Sequence, residues 1–389
     1  MNGPVYALAV SGSDLYAGGY FTRTTNSGAV AVAANHIAKW DGSSWSALGS
    51  GLNGTVYALA VSGSNAYVGG YFTTADGGAA TNIAEWNGNS WSTLGSGMDG
   101  AVWALTALGS DLYAGGFFTT AGGVPASYIA KWNGSNWTAL GSGVNGPVWA
   151  LAVSGSDVYA GGQFTSAGGT AADRVAKWNG GSWSALGSGV ANPPYALAVS
   201  GSSVYAGGRA GTSGDATWLA QWDGSNWSAL GSGVDREIDA LAMWRGDLYA
   251  AGDFRNTGGN AARYIAKWNG GSWSALGSGV NGSSSALALS GSDLYVGGYF
   301  TTAGGRPTPY VARAYLLPLP TLSVFRSGTN VVVSWPSADT ADFTLERAGK
   351  LPPPATWVPN AASVTDDGTI KSVTLPATNP AQFFRLRRP

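Results

Sequence analysis

Tryptophan recurs at Trp40, Trp86, Trp132, Trp178, Trp222 and Trp268, and again five residues later at Trp45, Trp91, Trp137, Trp183, Trp227 and Trp273. Each ladder steps by 46, 46, 46, 44 and 46 residues. A third ladder, Tyr16, Tyr67, Tyr113, Tyr159, Tyr205, Tyr249 and Tyr295, has seven rungs in the same register. A period of this length, held over most of a chain, means that one supersecondary unit is stacked many times and buries its apolar surface on its neighbours. Seven units occupy residues 1–317.

One unit runs Val-Trp-Ala-Leu-Ala-Val-Ser-Gly-Ser-Asp-Val-Tyr-Ala-Gly-Gly-Gln-Phe from Val148 to Phe164, then through a small-residue loop to Val175–Trp178 and Trp183. It parses into four strands: A (Tyr-Ala-Leu-Ala-Val type), B (Leu-Tyr-Ala-Gly-Gly), C (Ile-Ala-Lys-Trp) and D (Trp-Ser-Ala-Leu-Gly). The Ser-Gly-Ser-Asp and Asn-Gly or Asp-Gly connections are hairpin turns, because their glycines accept positive φ. Strand A is apolar on both faces, whereas a sheet wet on one side would alternate. Small sheets covered on both faces and repeated around an axis predict an all-β fold: a seven-bladed β-propeller. The alanines and Gly-Gly pair suit its crowded interior. The tryptophans suit the wider rim as core, with indole N–H groups seeking carbonyls of neighbouring blades.

The order of apolar strand, Tyr-Ala-Gly-Gly, loop, strand and Trp resembles the kelch-like β-propeller repeats. The string Tyr-Ala-Gly-Gly-x-Phe-Thr-x-Ala-Gly-Gly … Ile-Ala-Lys-Trp-Asn-Gly resembles tandem repeats of large secreted bacterial proteins. That resemblance implies an extracellular or cell-surface location and leaves activity open, since such propellers serve as enzymes, adhesins and scaffolds. The start, Met1-Asn2-Gly3-Pro4, has no charged or apolar leader region and opens directly on a repeat, so a longer natural chain or a processed leader is expected.

The seventh repeat lacks strand D and has Ala314 where Trp is expected. It predicts a seventh blade without its outer strand, and an open edge at strand C. The linker near Leu316, the C-terminal domain or a strand from another chain would cover that edge; the last would make self-association through blade 7. From residue 318 the period ends, proline becomes frequent and the charge turns to seven basic against five acidic residues. Strands are expected at 322–326, 330–335, 343–347, 356–358, 371–375 and 382–386. The segments Asn330-Val-Val-Val-Ser-Trp-Pro336 and Phe343-Thr-Leu-Glu-Arg347 resemble a fibronectin type III-like module, so residues 318–389 are expected to form a small β-sandwich. Its basic end reads as a solvated terminal strand or a docking signal.

With 11% charged residues, a net charge of −1 and no basic stripe, nucleic acid is not an expected partner, and no apolar run suggests membrane insertion. The absence of cysteine removes disulfides and thiolate chemistry, and a single histidine removes two-His zinc motifs. No cofactor is implied. The expectation is a non-enzymatic adhesive, structural or filament-forming protein; the alternative is a glycan-binding or polysaccharide-active one. Some propeller lyases use a His with a Tyr, which would put the weight on His36. Asp235, Glu237 and Asp239 alternate and would share one side of an extended strand, a weak calcium candidate beside the bland alternative of a solvated loop. Arg245-Gly246-Asp247 matches an integrin-recognition tripeptide, which a Gly-rich turn also produces by chance. The DA and BC loops emerge at one end and vary most. Arg23, His36, Asp76, Arg174, Arg209, Asp235, Arg236, Arg255 and Arg306 would therefore ring one ligand face for a glycan or surface protein.

Overall fold

A computed structural model describes residues 1–26, 30–209, 219–317, 320–338, 340, 343–349, 357–377 and 382–387. It divides into two compact units, Met1–Ala314 and Tyr315–Pro389. Both are built of strands, and no helix among the described residues is long and apolar enough to cross a membrane.

The first unit has a β-propeller repeat fold. Among the described residues it contains six four-stranded antiparallel sheets and one three-stranded sheet, besides short two-stranded ribbons. In the first, strands Val5–Ser11, Asp14–Gly19, Ile37–Trp40 and Trp45–Ala47 pair in chain order, and the same A-B-C-D order recurs from Thr55, Val102, Val148, Pro194 and Ile238. The last sheet holds Ser284–Ser290, Asp293–Gly298 and Val311–Tyr315, without a fourth strand among the described residues. Most BC loops also fold into short ribbons that the sequence did not suggest, such as Thr74–Ala75 with Gly78–Ala79.

Successive sheets approach so closely that a side chain at the first glycine of each Gly-Gly pair would displace its neighbour. A Cβ on Gly18 would lie 2.3 Å from Val56 Cγ1, and one on Gly115 2.5 Å from Val148 Cγ1. On Gly297 it would lie 2.7 Å from Val5 Cγ1, so the last sheet packs on the first and the ring closes. Hydroxyls at the other end repeat the link: Ser11 Oγ donates to the Gly63 carbonyl at 2.9 Å, and Ser290 Oγ to the Gly12 carbonyl at 3.5 Å. Trp244, which breaks the Ser-Gly-Ser-Asp consensus, keeps the contact by donating its indole N–H to the Gly291 carbonyl at 2.6 Å. Among the described residues, closure comes from side-by-side packing of the first and last sheets.

The tryptophan ladders lash the rim. Trp40 and Trp45 are cross-strand partners with ring centroids 5.5 Å apart, and the other five pairs repeat this at 5.4–5.7 Å. The outer indoles of Trp91, Trp137, Trp183, Trp227 and Trp273 donate to the carbonyls of Leu48, Leu94, Leu140, Leu186 and Leu230 of the preceding sheets, at 2.8–3.2 Å. Each bond satisfies a donor that burial would otherwise leave unpaired. Between strands B and C, Lys39–Asp14, Lys131–Asp111, Lys177–Asp157 and Lys267–Asp247 form ion pairs at 2.9–3.1 Å.

In the second unit one sheet orders Ser323–Ser327, Asn330–Pro336, Ile370–Pro376 and Thr365–Asp366, and the other Val358–Pro359, Thr344–Ala348 and Phe383–Arg387. These lie within two residues of the expected strands; the short Thr365–Asp366 strand was not foreseen, and Thr356 lies outside the described residues. Val333, Trp335, Leu345, Val373 and Leu375 form its core. The basic end is engaged: Arg385 and Arg387 reach the buried Glu346 carboxylate at 2.6 and 3.3 Å. Pairing is what makes such burial of a carboxylate tolerable.

Candidate functional site

Every strand A carries an irregularity at the same place. In the first sheet Val5 pairs with Gly19 and Ala7 with Gly18, so Tyr6 is an extra residue opposite no partner. The same slip recurs between Val56/Ala58, Val102/Ala104, Val148/Ala150, Pro194/Ala196, Ile238/Ala240 and Ser284/Ala286. A β-bulge re-aims the side chain it carries. The seven bulged residues are Tyr6, Tyr57, Trp103, Trp149, Tyr195, Asp239 and Ser285, and all seven line one cavity of about 600 Å³. Phe117 and Tyr299, from the position after Gly-Gly, complete its wall.

The aromatic arc is ordered by its own contacts. Tyr57 and Trp103 stack with centroids 4.5 Å apart and planes 1° from parallel. Trp149 and Tyr195 meet at 4.8 Å, and Tyr6 lies 5.6 Å from Tyr299 with their hydroxyls 2.6 Å apart. Burial, then that hydrogen bond, pushes the Tyr6 phenol well above its ordinary range. Trp103 nonetheless leaves 41% of its surface open and Phe117 50%. Contiguous exposed aromatics around a concavity are uncommon on a monomer and mark interaction sites.

The remaining side is polar. Burial, reinforced by the nearby carboxylates of Glu237 and Asp253, pushes Asp239 up to about 7. Arg209 lies 3.9 Å from Glu237, and Arg236 pairs with Asp253 at 3.1 Å. None of the nine residues expected to ring a ligand face lines the cavity; these two arginines pair with the carboxylates that act on Asp239.

The other seven are distributed around the loops. Asp235 accepts the backbone N–H groups of Arg255 and Asn256 and the Asn256 amide at 2.6–3.1 Å. Asn53, Asp99, Asn145 and Asn281 tie their BC loops by the same two backbone bonds. Asp76 accepts the Ser50 N–H at 2.8 Å, which holds its carboxyl below the usual range. Arg174 adopts φ 67° and donates to Asp173 and the Val190 carbonyl. His36 adopts φ 66°, as Asn82, Tyr128, Tyr264 and Tyr310 do at the corresponding position. Its Nδ1 lies 3.1 Å from the Gly19 carbonyl, burial lowers its pKa, and its ring sits 5.7 Å from that of Tyr20. Arg23 and Arg306 lie on short exposed strands, and Arg255 rests 5.9 Å over Tyr264.

The calcium candidate is corrected. Extended strand begins only at Ile238, Asp235 is committed to loop N–H groups, and Asp239 belongs to the cavity. No cluster of three His, Asp or Glu able to hold a metal exists among the described residues. In the Arg-Gly-Asp turn, Asp247 is held by Lys267 at 2.9 Å, and Arg245 lies 4.9 Å over Trp244.

Sequence reasoning missed the bulged ring, because strand A reads as apolar and covered on both faces. The signal was an aromatic two residues before the strand A leucine in five of seven repeats, replaced by Asp239 and Ser285 in the last two.

No family model matches the chain, and no curated protein matches its sequence. Among solved structures, a Pyrococcus horikoshii acylaminoacyl peptidase is 11% identical over 86% of this chain and 57% of its own, with a TM-score of 0.45. The Neurospora crassa Pan2 WD40 domain is 11% identical over 98% and 91%, TM-score 0.31. A Bombyx mori GH32 β-fructofuranosidase is 10% identical over 86% and 85%, TM-score 0.26. The expectation that the chain is not an enzyme is corrected. Two of these neighbours are enzymes, and Asp239, titrating near 7 inside a cavity, is a potential acid or base that the histidine and cysteine count overlooked. Likeness this loose assigns no reaction.

Proposed function

We propose that the chain is a seven-bladed β-propeller of kelch-like repeats followed by a fibronectin type III-like sandwich, from a secreted or cell-surface protein, and that its axial cavity binds a saccharide. The observation carrying the ligand assignment is the ring of bulged residues: five aromatic side chains, one carboxyl and one hydroxyl converge on one cavity. A sugar presents apolar C–H faces and a polar hydroxyl edge. The faces of Tyr57 and Trp103 suit the first; the hydroxyls of Tyr6, Tyr195 and Ser285 and the carboxyl of Asp239 suit the second. Ligand pockets generally combine mostly apolar lining with few polar groups in this way. A nucleic acid would instead need a basic surface, and this mouth holds a carboxyl.

Calorimetric titration of the whole chain with neutral oligosaccharides tests the assignment. Trp103→Ala removes an exposed, stacked ring from the mouth. It is expected to weaken binding by about tenfold or more, as loss of a ~1.4 kcal/mol contact would, with little change in unfolding midpoint. Absence of heat with any saccharide class, or unchanged affinity in Trp103→Ala, would overturn the saccharide assignment.

A further inference from the structure

The axial cavity is lined, among the described residues, by one carboxyl and no basic group: Asp239 stands in a wall of seven aromatic side chains and Ser285. Strand order places it between two other bulged residues, Tyr195 of the fifth sheet and Ser285 of the seventh. The contact of Tyr195 with Trp149, at 4.8 Å between ring centroids, continues the aromatic wall up to this edge. Asp14 is matched by a lysine and Asp235 by backbone N–H groups. The Asp239 carboxyl, by contrast, accepts no hydrogen bond and has no ion pair among the described residues. The charged groups about it give it no cation. The carboxylates of Glu237 and Asp253 act on it, while Arg209 is engaged with Glu237 at 3.9 Å and Arg236 with Asp253 at 3.1 Å. The Tyr195 phenol beside it is raised by burial and feels both Asp239 and Arg209. Three carboxyls, Asp239, Glu237 and Asp253, against two guanidiniums leave this side of the cavity one negative charge in excess when all are ionised.

We propose, resting on the saccharide assignment above, that the ligand is an amino sugar, whose free ammonium pairs with Asp239 while its pyranose ring lies against the aromatic arc. An unmatched carboxyl in an aromatic wall suits an organic cation twice over. It offers a charge-assisted hydrogen bond, and the rings beside it attract positive charge through their quadrupoles. The ammonium brings three donors and no acceptor, and the Asp239 carboxyl and the Ser285 hydroxyl are acceptors lining the same cavity. Other sugar classes fit less well. A uronic acid would set a second carboxylate against Asp239 in a half-enclosed site. A neutral or N-acetylated sugar would cover Asp239 without neutralising it, leaving a carboxyl either charged and unpaired or protonated.

The experiment uses the full chain and two tetrasaccharides of one linkage and length, β-1,4-linked glucosamine and its fully N-acetylated counterpart. Acetylation removes the charge and keeps the pyranose rings. Calorimetric titration is run at about pH 6, below the ordinary range of an α-amino group, so that the amines are protonated. The amino form is expected to bind about tenfold or more tighter than the acetylated form. Asp239→Asn, which keeps the side-chain shape, is expected to bring the two within about twofold of each other. Equal or tighter binding of the acetylated form to the parent protein would overturn the amino-sugar inference, and that comparison needs no variant to fold. A preference for the amino form that survives Asp239→Asn would overturn it as well. In either case binding that is still weakened by Trp103→Ala leaves the saccharide assignment standing. If no saccharide, charged or neutral, gives heat, the saccharide assignment falls and takes this inference with it.

Discussion

Replacing Gly115 by alanine probes the contact that spaces one sheet from the next. Gly115 is absent from the positive-φ residues, so an alanine there suffers no backbone strain and its effect is steric. Its Cβ would stand 2.5 Å from Val148 Cγ1 and 3.0 Å from Val148 Cβ. Carbon atoms prefer ~3.5–4.0 Å, so the sheets must part by about 1 Å or Val148 must leave its rotamer. Overpacking of this kind costs about 1–3 kcal/mol. The molecule contains its own compensated version: the sixth sheet has Ala251 at the glycine position, and the residue at the facing position is Ser284 where the others carry Val, Ile or Pro. Val148→Ala alone should cost about 2 kcal/mol through the void it leaves. The double variant is expected to be less destabilised than the sum by about 1 kcal/mol or more, since the new methyl enters the space vacated. Urea unfolding followed by tryptophan fluorescence measures all four proteins. Strict additivity within ~0.3 kcal/mol, or a neutral Gly115→Ala, would refute sheet spacing set by glycine against valine.

The indole lashings predict a contrast between equivalent residues. Trp137→Phe removes a buried N–H bond of 2.9 Å to the Leu94 carbonyl and should lower stability by about 1–2 kcal/mol. Trp45→Phe removes an indole without such a carbonyl among the described residues and should cost distinctly less in the same urea titration. Asp239 gives a pH signature. Its folded pKa, about 7, exceeds the ordinary carboxyl value of 3.8, so the native state holds a proton that the unfolded chain releases. Its contribution is therefore fully favourable below pH ~4 and is lost as pH rises through about 7. The urea midpoint of Asp239→Asn should fall less than that of the parent between pH 5 and 8; parallel curves would show that Asp239 ionises normally.

The sheets and rim tryptophans were legible because their determinants recur at a fixed interval and each performs the same packing task. That the last sheet has three strands among the described residues was legible for the same reason, as a rung absent at Ala314. The axial site was not, because its determinant is a one-residue slip in pairing. Nothing in Val-Tyr-Ala-Leu says that Tyr6 is unpaired and turned into the mouth while Val5 is buried. Charged loop residues misled for another reason. Asp76 and Asp235 look free in the sequence, yet backbone N–H groups at loop corners recruit them, as they recruit Asn53 or Asn281 elsewhere. Arg209 and Arg236 come nearest in effect, because they pair with Glu237 and Asp253, the carboxylates that act on Asp239.

Ring closure underlies the convergence of the seven bulged residues, and it can be measured directly. Spin labels on Ser13→Cys and Ser292→Cys, in a protein otherwise free of cysteine, sit in the turns next to Gly12 and Ser290, which hydrogen-bond across the first and last sheets. Dipolar electron spectroscopy should give one narrow distribution at short distance. A long or broad distribution would show an open stack of repeats, with no common axis on which Tyr6, Trp103 and Asp239 could meet.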